Sequence, residues 1–159
     1  MSAPGGLPQP LTVPIYNDGE LIHTRPSILP GGGGLLFTIN SGPLSAPRIA
    51  VYSFASGEHT SLVEGSSPRY VSTGHVIFGQ AGSLWAVPFD LEQLALTGEP
   101  TPLIEDVQVT QGTAALVSFS IADDGTLVYG PSTFVELRSL VWVDRNGTEE
   151  PLVGARPDE

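Results

Sequence analysis

Short apolar runs alternate with turns rich in Gly and Pro along most of this chain. The runs consist mainly of β-branched, aromatic and Leu residues, and their near-continuous apolarity favours short β-strands buried on both faces. Sustained helical periodicity is absent, and the one helix-like stretch, residues 91–94, falls within a loop. The pattern therefore predicts an all-β protein. Its clearest strands are Leu35–Ile39, Val76–Phe78, Leu84–Val87, Leu127–Tyr129 and Leu140–Val143.

One order of elements occurs three times: a turn, an apolar strand that ends in an aromatic residue, a second apolar strand, a Gly-centred turn and a closing Leu. In the first two copies the aromatic residues are Phe37 and Phe78, which are 41 residues apart. The closing residues, Leu62 and Leu103, are also 41 residues apart. Two landmarks with the same spacing indicate a duplicated unit, and four-stranded propeller blades repeat at about 40–50 residues.

The third copy is longer than the first two. Its aromatic residue, Tyr129, follows that of the second copy by 51 residues, and its closing Leu152 follows by 49 residues. We expect the extra length to form loops around residues 111–113 and 131–136, because insertions in a repeat are tolerated in its loops. The three copies together predict about three four-stranded antiparallel blades, which is a partial β-propeller.

Glycines precede the first apolar strand of each copy, at Gly34, Gly74 and Gly125. We expect each of these turns to need a residue that tolerates a positive φ, which Gly does without a steric cost. In the third copy, Asn146-Gly147 is a favourable signal for a two-residue hairpin turn.

Residues 5–12 resemble the end of a further copy that precedes the first, so we expect the chain to begin with an outer strand whose own blade is missing. Because propellers need at least four blades to close, three blades predict either a fragment of a longer protein or two chains that pair. Repeats bury their apolar faces by stacking, so an unpaired half-ring is expected to associate or aggregate. The expected boundaries are 1–22 for the outer strand and linker, 23–65, 66–107 and 108–154 for the three blades, and 155–159 for a tail.

The charge balance narrows the choice of partners. The 159 residues include 17 acidic residues and no Lys, and the net charge is −11. Such a chain repels a phosphate backbone, so we expect no nucleic-acid partner. The acidic surface is expected mainly to keep the protein in solution, with a cation or basic-peptide site as the alternative. No apolar run is long enough to span a bilayer, which argues against direct membrane insertion.

Catalytic motifs are absent from the sequence. A hydrolase would carry a Gly-x-Ser-x-Gly turn, which neither Gly65–Pro68 nor Gly82–Leu84 matches. The run Gly31–Gly34 does not continue as a dinucleotide-binding fingerprint and is predicted to be a flexible turn. A kinase needs a Lys to pair the phosphates, and the chain has none. We therefore predict no enzyme activity.

The three histidines do not predict a metal site. His23, His59 and His75 occupy different places in the repeat, no two have the spacing of metal ligands, and no carboxylate cluster accompanies them. We expect surface or hydrogen-bonded histidines without a metal or cofactor. Asp123–Gly125 lacks the alternating acidic ligands of a calcium loop and is predicted to be a turn. The absence of Cys excludes disulfides and thiolate ligands.

Trp85 and Trp142 lie near the beginning of equivalent strands. We expect them in the core between blades, with a binding platform as the alternative. Asn146–Thr148 formally matches a glycosylation acceptor, but it coincides with the predicted hairpin turn. The sequence therefore assigns no catalytic, cofactor-binding or metal residue, and the binding residues stay unknown.

Three segments carry a resemblance to a known family: residues 74–100 (GHVIFGQAGSLWAVPFDLEQLALTGEP), 122–131 (ADDGTLVYGP) and 140–152 (LVWVDRNGTEEPL). They resemble the WD40-like repeats of six-bladed, TolB-like propellers. More narrowly, they resemble the propeller that follows the kinase domain in many bacterial membrane-anchored serine/threonine kinases. The resemblance covers residues 26–152. The chain departs from this family because half of the expected blades and a preceding kinase segment are missing.

The resemblance implies an extracytoplasmic or periplasmic module that binds a protein or peptide without catalysis of its own. We therefore expect half of a six-bladed ring that acts as an interaction scaffold in a larger bacterial receptor-kinase-like or TolB-like protein. An alternative is the propeller of a prolyl-oligopeptidase-like serine peptidase, which gates access to a hydrolase domain absent from this sequence. A further alternative is a structural homodimer in which two half-rings complete one six-bladed ring.

Overall fold

The computed structural model describes Leu7 and residues 9–42, 44–110, 116–122, 125–132, 141–143 and 149–151. Strands account for 54% of the residues in the structure and helical turns for 5%. The sheets are antiparallel. The helical residues form two 3-10 turns, Tyr16–Asp18 and Pro30–Gly32. The prediction of an all-β protein is confirmed. Within these ranges, no helix is long and apolar enough to cross a membrane.

The first sheet is a four-stranded antiparallel meander whose strands pair in chain order. Its second strand is buried along its whole length, as the continuous apolarity of that segment predicts. The strands are β1 (Ile22–Ile28), β2 (Gly34–Asn40), β3 (Arg48–Ser53) and β4 (His59–Glu64).

The second sheet contains β5 (Ser66–Val71), β6 (His75–Gln80), β7 (Ser83–Asp90), β8 (Ala95–Leu96) and β9 (Thr101–Ile104). Strands β5, β6 and β7 pair in chain order, β9 pairs with β7, and the short β8 forms a hairpin with the end of β7. In that hairpin, Asp90 Oδ1 accepts the backbone N–H groups of Glu92 and Gln93, each at 2.8 Å. The helix-like stretch therefore lies in a hydrogen-bonded loop, as predicted.

Six further strands form three separate antiparallel pairs. They are β10 (Val109–Thr110) with β11 (Leu116–Val117), β12 (Phe119–Ile121) with β13 (Leu127–Tyr129), and β14 (Val141–Val143) with β15 (Glu149–Pro151). Several features of the predicted third blade lie outside the described residues, so the third blade stays a prediction. These features are residues 111–113, 123–124, 133–136 and 146–148, Leu152 and the side chain of Trp142.

The expected outer strand near the N-terminus is not formed in the described residues. Leu7 and residues 9–21 contain no strand, and the first strand begins at Ile22. Pro10 and Pro14 lack the backbone N–H that a strand ladder needs, which weakens strand pairing in this segment.

The first two sheets have the same strand register. In the pairing of β2 with β3, Phe37 is opposite Ala50. In the pairing of β6 with β7, Phe78 is opposite Trp85. Because a shift by one residue would turn every side chain to the other face of a sheet, the shared register places equivalent residues on equivalent faces.

Both sheets carry a bulge at the closing Leu of the sequence repeat. The pairing of β3 with β4 skips Leu62, and the pairing of β7 with β9 skips Leu103. A bulge of this kind inserts one extra residue into one strand and bends that strand. The closing Leu therefore marks a repeated backbone irregularity, which the sequence pattern alone does not predict.

A second bulge repeats in the first strand of each sheet. It lies at Arg25 and Pro26 in β1, and at Ser67 and Pro68 in β5. Arg25 and Ser67 adopt φ angles of 55° and 56°, which are uncommon for residues other than Gly. The two sheets thus share, at equivalent positions, a backbone conformation that residues other than Gly rarely adopt.

Each of the three turns contains a glycine with a positive φ, as expected. Gly74 has φ 81° and Gly125 has φ 88°. In the first turn the positive φ falls at Gly31 and Gly32, with 78° and 69°, and Gly34 is a regular member of β2. Gly34 is needed for a different reason: a Cβ there would overlap the carbonyl oxygen of Tyr52.

The main core lies between the first two sheets, and β5 packs against β1, β2 and β3. The sheets therefore stack face to face. A smaller cluster around Val107 joins the second sheet to the strands that follow. From the first sheet and its β1–β2 turn, the main core contains Leu29, Leu36, Ile49 and Val51. From the second sheet it contains Val76, Phe78, Val87 and Phe89.

The opposite face of the first sheet is also buried. Leu11 and Thr12 of the N-terminal segment line clefts together with Leu35, Phe37 and Tyr52 of this face. The segment therefore lies over part of the face. Its five core residues, each at most 9% exposed, are Leu35, Phe37, Ile39, Ala50 and Tyr52.

Candidate functional site

A tight turn ahead of β1 positions the carboxylate of Glu20. The carbonyl oxygen of Ile15 accepts the N–H groups of Asp18 at 2.9 Å and Glu20 at 3.3 Å, and Gly19 takes φ 78°. The Glu20 side chain also bonds to the backbone of this turn, because its Oε2 accepts the N–H of Ile15 at 2.8 Å. Glu20 is only 3% exposed, so this acidic residue is fixed inside the protein.

Two histidines from the opposite edges of the first sheet meet this carboxylate. His23 in β1 donates from Nε2 to Glu20 Oε2 at 3.0 Å. His59 at the start of β4 donates from Nε2 to Glu20 Oε1 at 3.1 Å. The three side chains are between 4% and 13% exposed. We call these three residues the Glu20 cluster.

Neighbouring side chains hold the two imidazoles in place. The ring centroid of Phe37 lies 4.7 Å from that of His23 and 5.5 Å from that of His59. The two imidazole centroids are 5.3 Å apart in an edge-on arrangement. On the outer side, Nδ1 of His23 lies 2.9 Å from the hydroxyl oxygen of Thr12. Both ring nitrogens of His23 are therefore engaged.

The pKa of the Glu20 carboxyl lies below its ordinary value. Burial by itself raises this pKa, because a charged group loses hydration. The backbone N–H of Ile15 and the imidazoles of His59 and His23 together outweigh burial and lower the pKa. The cluster therefore contains an ionised, hydrogen-bonded carboxylate that faces two imidazoles.

The chemistry of the Glu20 cluster follows from its donor set. One atom from each residue can be chosen so that all three lie within 4.8 Å of one another. Imidazole nitrogen and carboxylate oxygen are ligands of zinc and related divalent ions. The same atoms also satisfy one another through hydrogen bonds. The arrangement can therefore hold a metal ion or act as a hydrogen-bonded clamp.

Sequence patterns miss this cluster because its members come from the N-terminal segment and from two edge strands. The one local signal is the spacing of three residues between Glu20 and His23. His59 is 39 residues from Glu20 and joins the cluster only through the fold. His75 is the first residue of β6, and its Nδ1 lies 3.0 Å from the carbonyl oxygen of Thr73 in the preceding turn.

Trp85 packs against the core between the first two sheets. Its indole N–H has no hydrogen-bond partner among the residues that the structure describes. Its placement matches the expected packing between repeats. The corresponding expectation for Trp142 concerns a side chain outside the described residues.

A second candidate surface is an open cleft of about 560 Å³ where the first two sheets meet the β10–β11 pair. We call it the inter-sheet cleft. Small residues form much of its wall, and Glu64 contributes a carboxylate. Glycine in such a wall lets a ligand backbone approach closely. The small wall residues are Ala46, Gly65, Gly79, Ala81 and Gly82.

Comparisons of the chain with protein-family models, with curated proteins and with solved structures found no match. The features of the chain that bear on its function are the two repeated sheets, the Glu20 cluster and the inter-sheet cleft.

Proposed function

We propose that the first two sheets are successive blades of a β-propeller, and that the chain supplies about half of a six-bladed, TolB-like ring. Propeller blades are four-stranded antiparallel sheets arranged radially around an axis. The strand order of the first sheet and the β5–β6–β7–β9 order of the second support this proposal. The shared register at Phe37 and Phe78 and the two repeated bulges add to it, because unrelated sheets have no physical reason to share all three.

We propose that this partial propeller is a non-catalytic scaffold that binds a protein or peptide. The observation that carries this function is the inter-sheet cleft, which is open to solvent and lined mainly by small and apolar residues. Extended peptides bind in grooves where their backbone approaches closely and their side chains fill pockets. The family resemblance adds the context of an extracytoplasmic part of a bacterial receptor-kinase-like or TolB-like protein.

The charge of the chain favours a partner segment with Arg or Lys residues. The net charge is −11, and Glu64 lies in the wall of the cleft. Complementary charge speeds encounter and selects among partners, whereas the buried apolar contacts supply most of the affinity. We therefore expect an extended peptide with basic and apolar residues to bind in the inter-sheet cleft.

Selection of peptides from a random display library on the immobilised chain tests this function. Enriched sequences are synthesised, and calorimetry measures their binding to the wild type and to two Trp variants. Ala46→Trp places an indole in the cleft at an exposed position. Ala55→Trp is the matched control, because it adds the same side chain to an exposed turn between β3 and β4.

The expected result is enrichment of basic peptides whose affinity falls at least about tenfold, or about 1.4 kcal/mol, in Ala46→Trp and stays unchanged in Ala55→Trp. Equal effects of both variants would contradict binding in the cleft. A selection that enriches no peptide with measurable affinity would contradict the scaffold function itself.

A further inference from the structure

We infer that the Glu20 cluster is a binding site for a divalent transition-metal ion, and that Zn²⁺ is the ion its ligand set fits best. The ligands are Nε2 of His23, Nε2 of His59 and the Glu20 carboxylate. The inference is independent of the propeller proposal, since it rests on atoms within one sheet and the segment before it.

Two of the three separations between ligand atoms in the cluster are close to those between ligands of one zinc ion. Zinc lies about 2.0–2.1 Å from an imidazole nitrogen and about 2.0–2.2 Å from a carboxylate oxygen, so two ligands of a tetrahedral ion are about 3.3–3.5 Å apart. The two nitrogen-to-oxygen distances are 3.0 Å for His23 and 3.1 Å for His59. These two pairs open by a few tenths of an ångström to admit the ion. The third separation, between the ligand atoms of the two imidazoles, is at most 4.8 Å, so the rings also move towards each other.

The supporting contacts of the cluster are those that metal ligands require. A ligating imidazole is oriented by a hydrogen bond at its other nitrogen, and a ligating carboxylate is itself hydrogen-bonded. Thr12 Oγ1 lies 2.9 Å from Nδ1 of His23, and the N–H of Ile15 donates to Glu20 Oε2 at 2.8 Å. Phe37 packs against both imidazoles and fixes their rings. Glu20 and His23 thus have the outer hydrogen bonds of metal ligands, and His59 is positioned by ring packing.

Solvent reaches both imidazoles, so an ion has a path to the site. His23 borders a cleft of about 280 Å³, and His59 borders a second cleft of about 440 Å³ that is also lined by Leu11 and Thr12. The carboxylate of Glu58 lines the His59 cleft and adds negative charge there. Three protein ligands leave the fourth position of a tetrahedral ion for water or an external ligand.

Titration of the untagged chain with Zn²⁺ alone, followed by calorimetry, tests the inference. Co²⁺ added to the same chain gives a visible absorption spectrum that Zn²⁺ should abolish by displacement. We expect one ion per chain and a rise of the unfolding temperature with Zn²⁺ concentration, because an ion that binds only the folded state stabilises it.

Three substitutions separate a metal site from a hydrogen-bonded clamp. His59→Gln keeps an N–H donor that can reach the Glu20 carboxylate but removes a metal ligand, so the fold is expected to persist. Loss of an outer-shell partner costs about 10–100-fold in metal affinity. We therefore expect Thr12→Val to weaken Zn²⁺ binding about 10–100-fold. His59→Gln removes a ligand itself and should weaken Zn²⁺ binding by at least about 100-fold. His75→Gln is the matched control and should bind Zn²⁺ like the wild type.

Zn²⁺ binding of equal strength in His59→Gln, His75→Gln and the wild type would overturn the inference, because the ion would then lie elsewhere. Failure of the wild type to bind one Zn²⁺, or to show a Co²⁺ spectrum, would identify the cluster as a hydrogen-bonded clamp only. Should His59→Gln fail to fold, the Co²⁺ spectrum of the wild type and the loss in Thr12→Val still decide the question.

Discussion

The backbone N–H of Ser67 donates a 3.0 Å hydrogen bond to the hydroxyl oxygen of Thr38, and this buried bond joins the first two sheets. Ser67 is a bulge residue of β5 with φ 56°, and Thr38 in β2 has no exposed surface. A bulge takes an N–H group out of the strand ladder, so that group must find another acceptor. The repeated bulge therefore connects one sheet to the next.

Replacement of Thr38 by Val should destabilise the chain. The substitution keeps the shape of the side chain but leaves the buried N–H of Ser67 without its acceptor, which costs about 1–3 kcal/mol. Urea unfolding of the wild type and the variant measures the difference. Thr38→Ser is the control, because it keeps the hydroxyl. A Val variant as stable as the wild type would show that this hydrogen bond does not stabilise the stacking of the sheets.

Phe78→Ala should lower the free energy of unfolding by about 3–5 kcal/mol, because large-to-small substitutions at buried aromatic residues leave a cavity. Phe78 has no exposed surface and belongs to the core between the first two sheets. Phe54→Ala removes the same ring from a position that is 43% exposed, and it should cost much less. Chemical unfolding of both variants measures the two losses. Equal losses would mean that Phe78 does not lie in the core between the sheets.

The stability of the metal-free chain should fall on acidification through Glu20. Its pKa is lower in the folded state, despite burial, because Ile15, His59 and His23 favour the charged form. A carboxyl whose pKa is lower in the folded state stabilises the protein at pH values above its unfolded pKa of about 4.3. This stabilisation is lost as the pH falls through the folded pKa.

Unfolding of the wild type and of Glu20→Gln in the presence of a chelator, between about pH 5 and about pH 3, measures this contribution. The variant should be less stable at about pH 5, and the difference should shrink towards about pH 3. Glu99→Gln, at an exposed position, serves as the control. A difference that stays constant with pH would refute the role of the ionised carboxylate.

Deletion of residues 1–15 should increase self-association. Leu11 and Thr12 lie beside Leu35, Phe37 and Tyr52, so the deletion uncovers part of an apolar face. Exposed apolar patches promote pairing, and a pair of half-rings would complete the expected six-bladed ring. Light scattering should show the truncated chain above its monomer mass at concentrations where the full chain of 16.7 kDa associates less. Deletion of residues 1–8 is the control, because it leaves the covering segment in place.

The strands could be predicted from the sequence, whereas the cluster could not. Phe37 and Phe78 stand out because each ends an apolar run, and burial in a strand follows from that local pattern. The bulges at Leu62 and Leu103 depend on how neighbouring strands pair, which a hydrophobic pattern does not specify. Glu20 and His59 meet only after the sheet has formed, so no local spacing reveals them. Gly34 shows the same limit, since the carbonyl oxygen that requires Gly there comes from β3.

Cross-strand nuclear Overhauser contacts in the isotope-labelled chain test most directly whether the two sheets are copies of one blade. Equivalent sheets predict backbone contacts between Phe37 and Ala50 and between Phe78 and Trp85, with a break in the pairing at Leu62 and again at Leu103. A one-residue shift of either pairing relative to the other would contradict the repeated blade, because it would turn the side chains of one sheet to the opposite face.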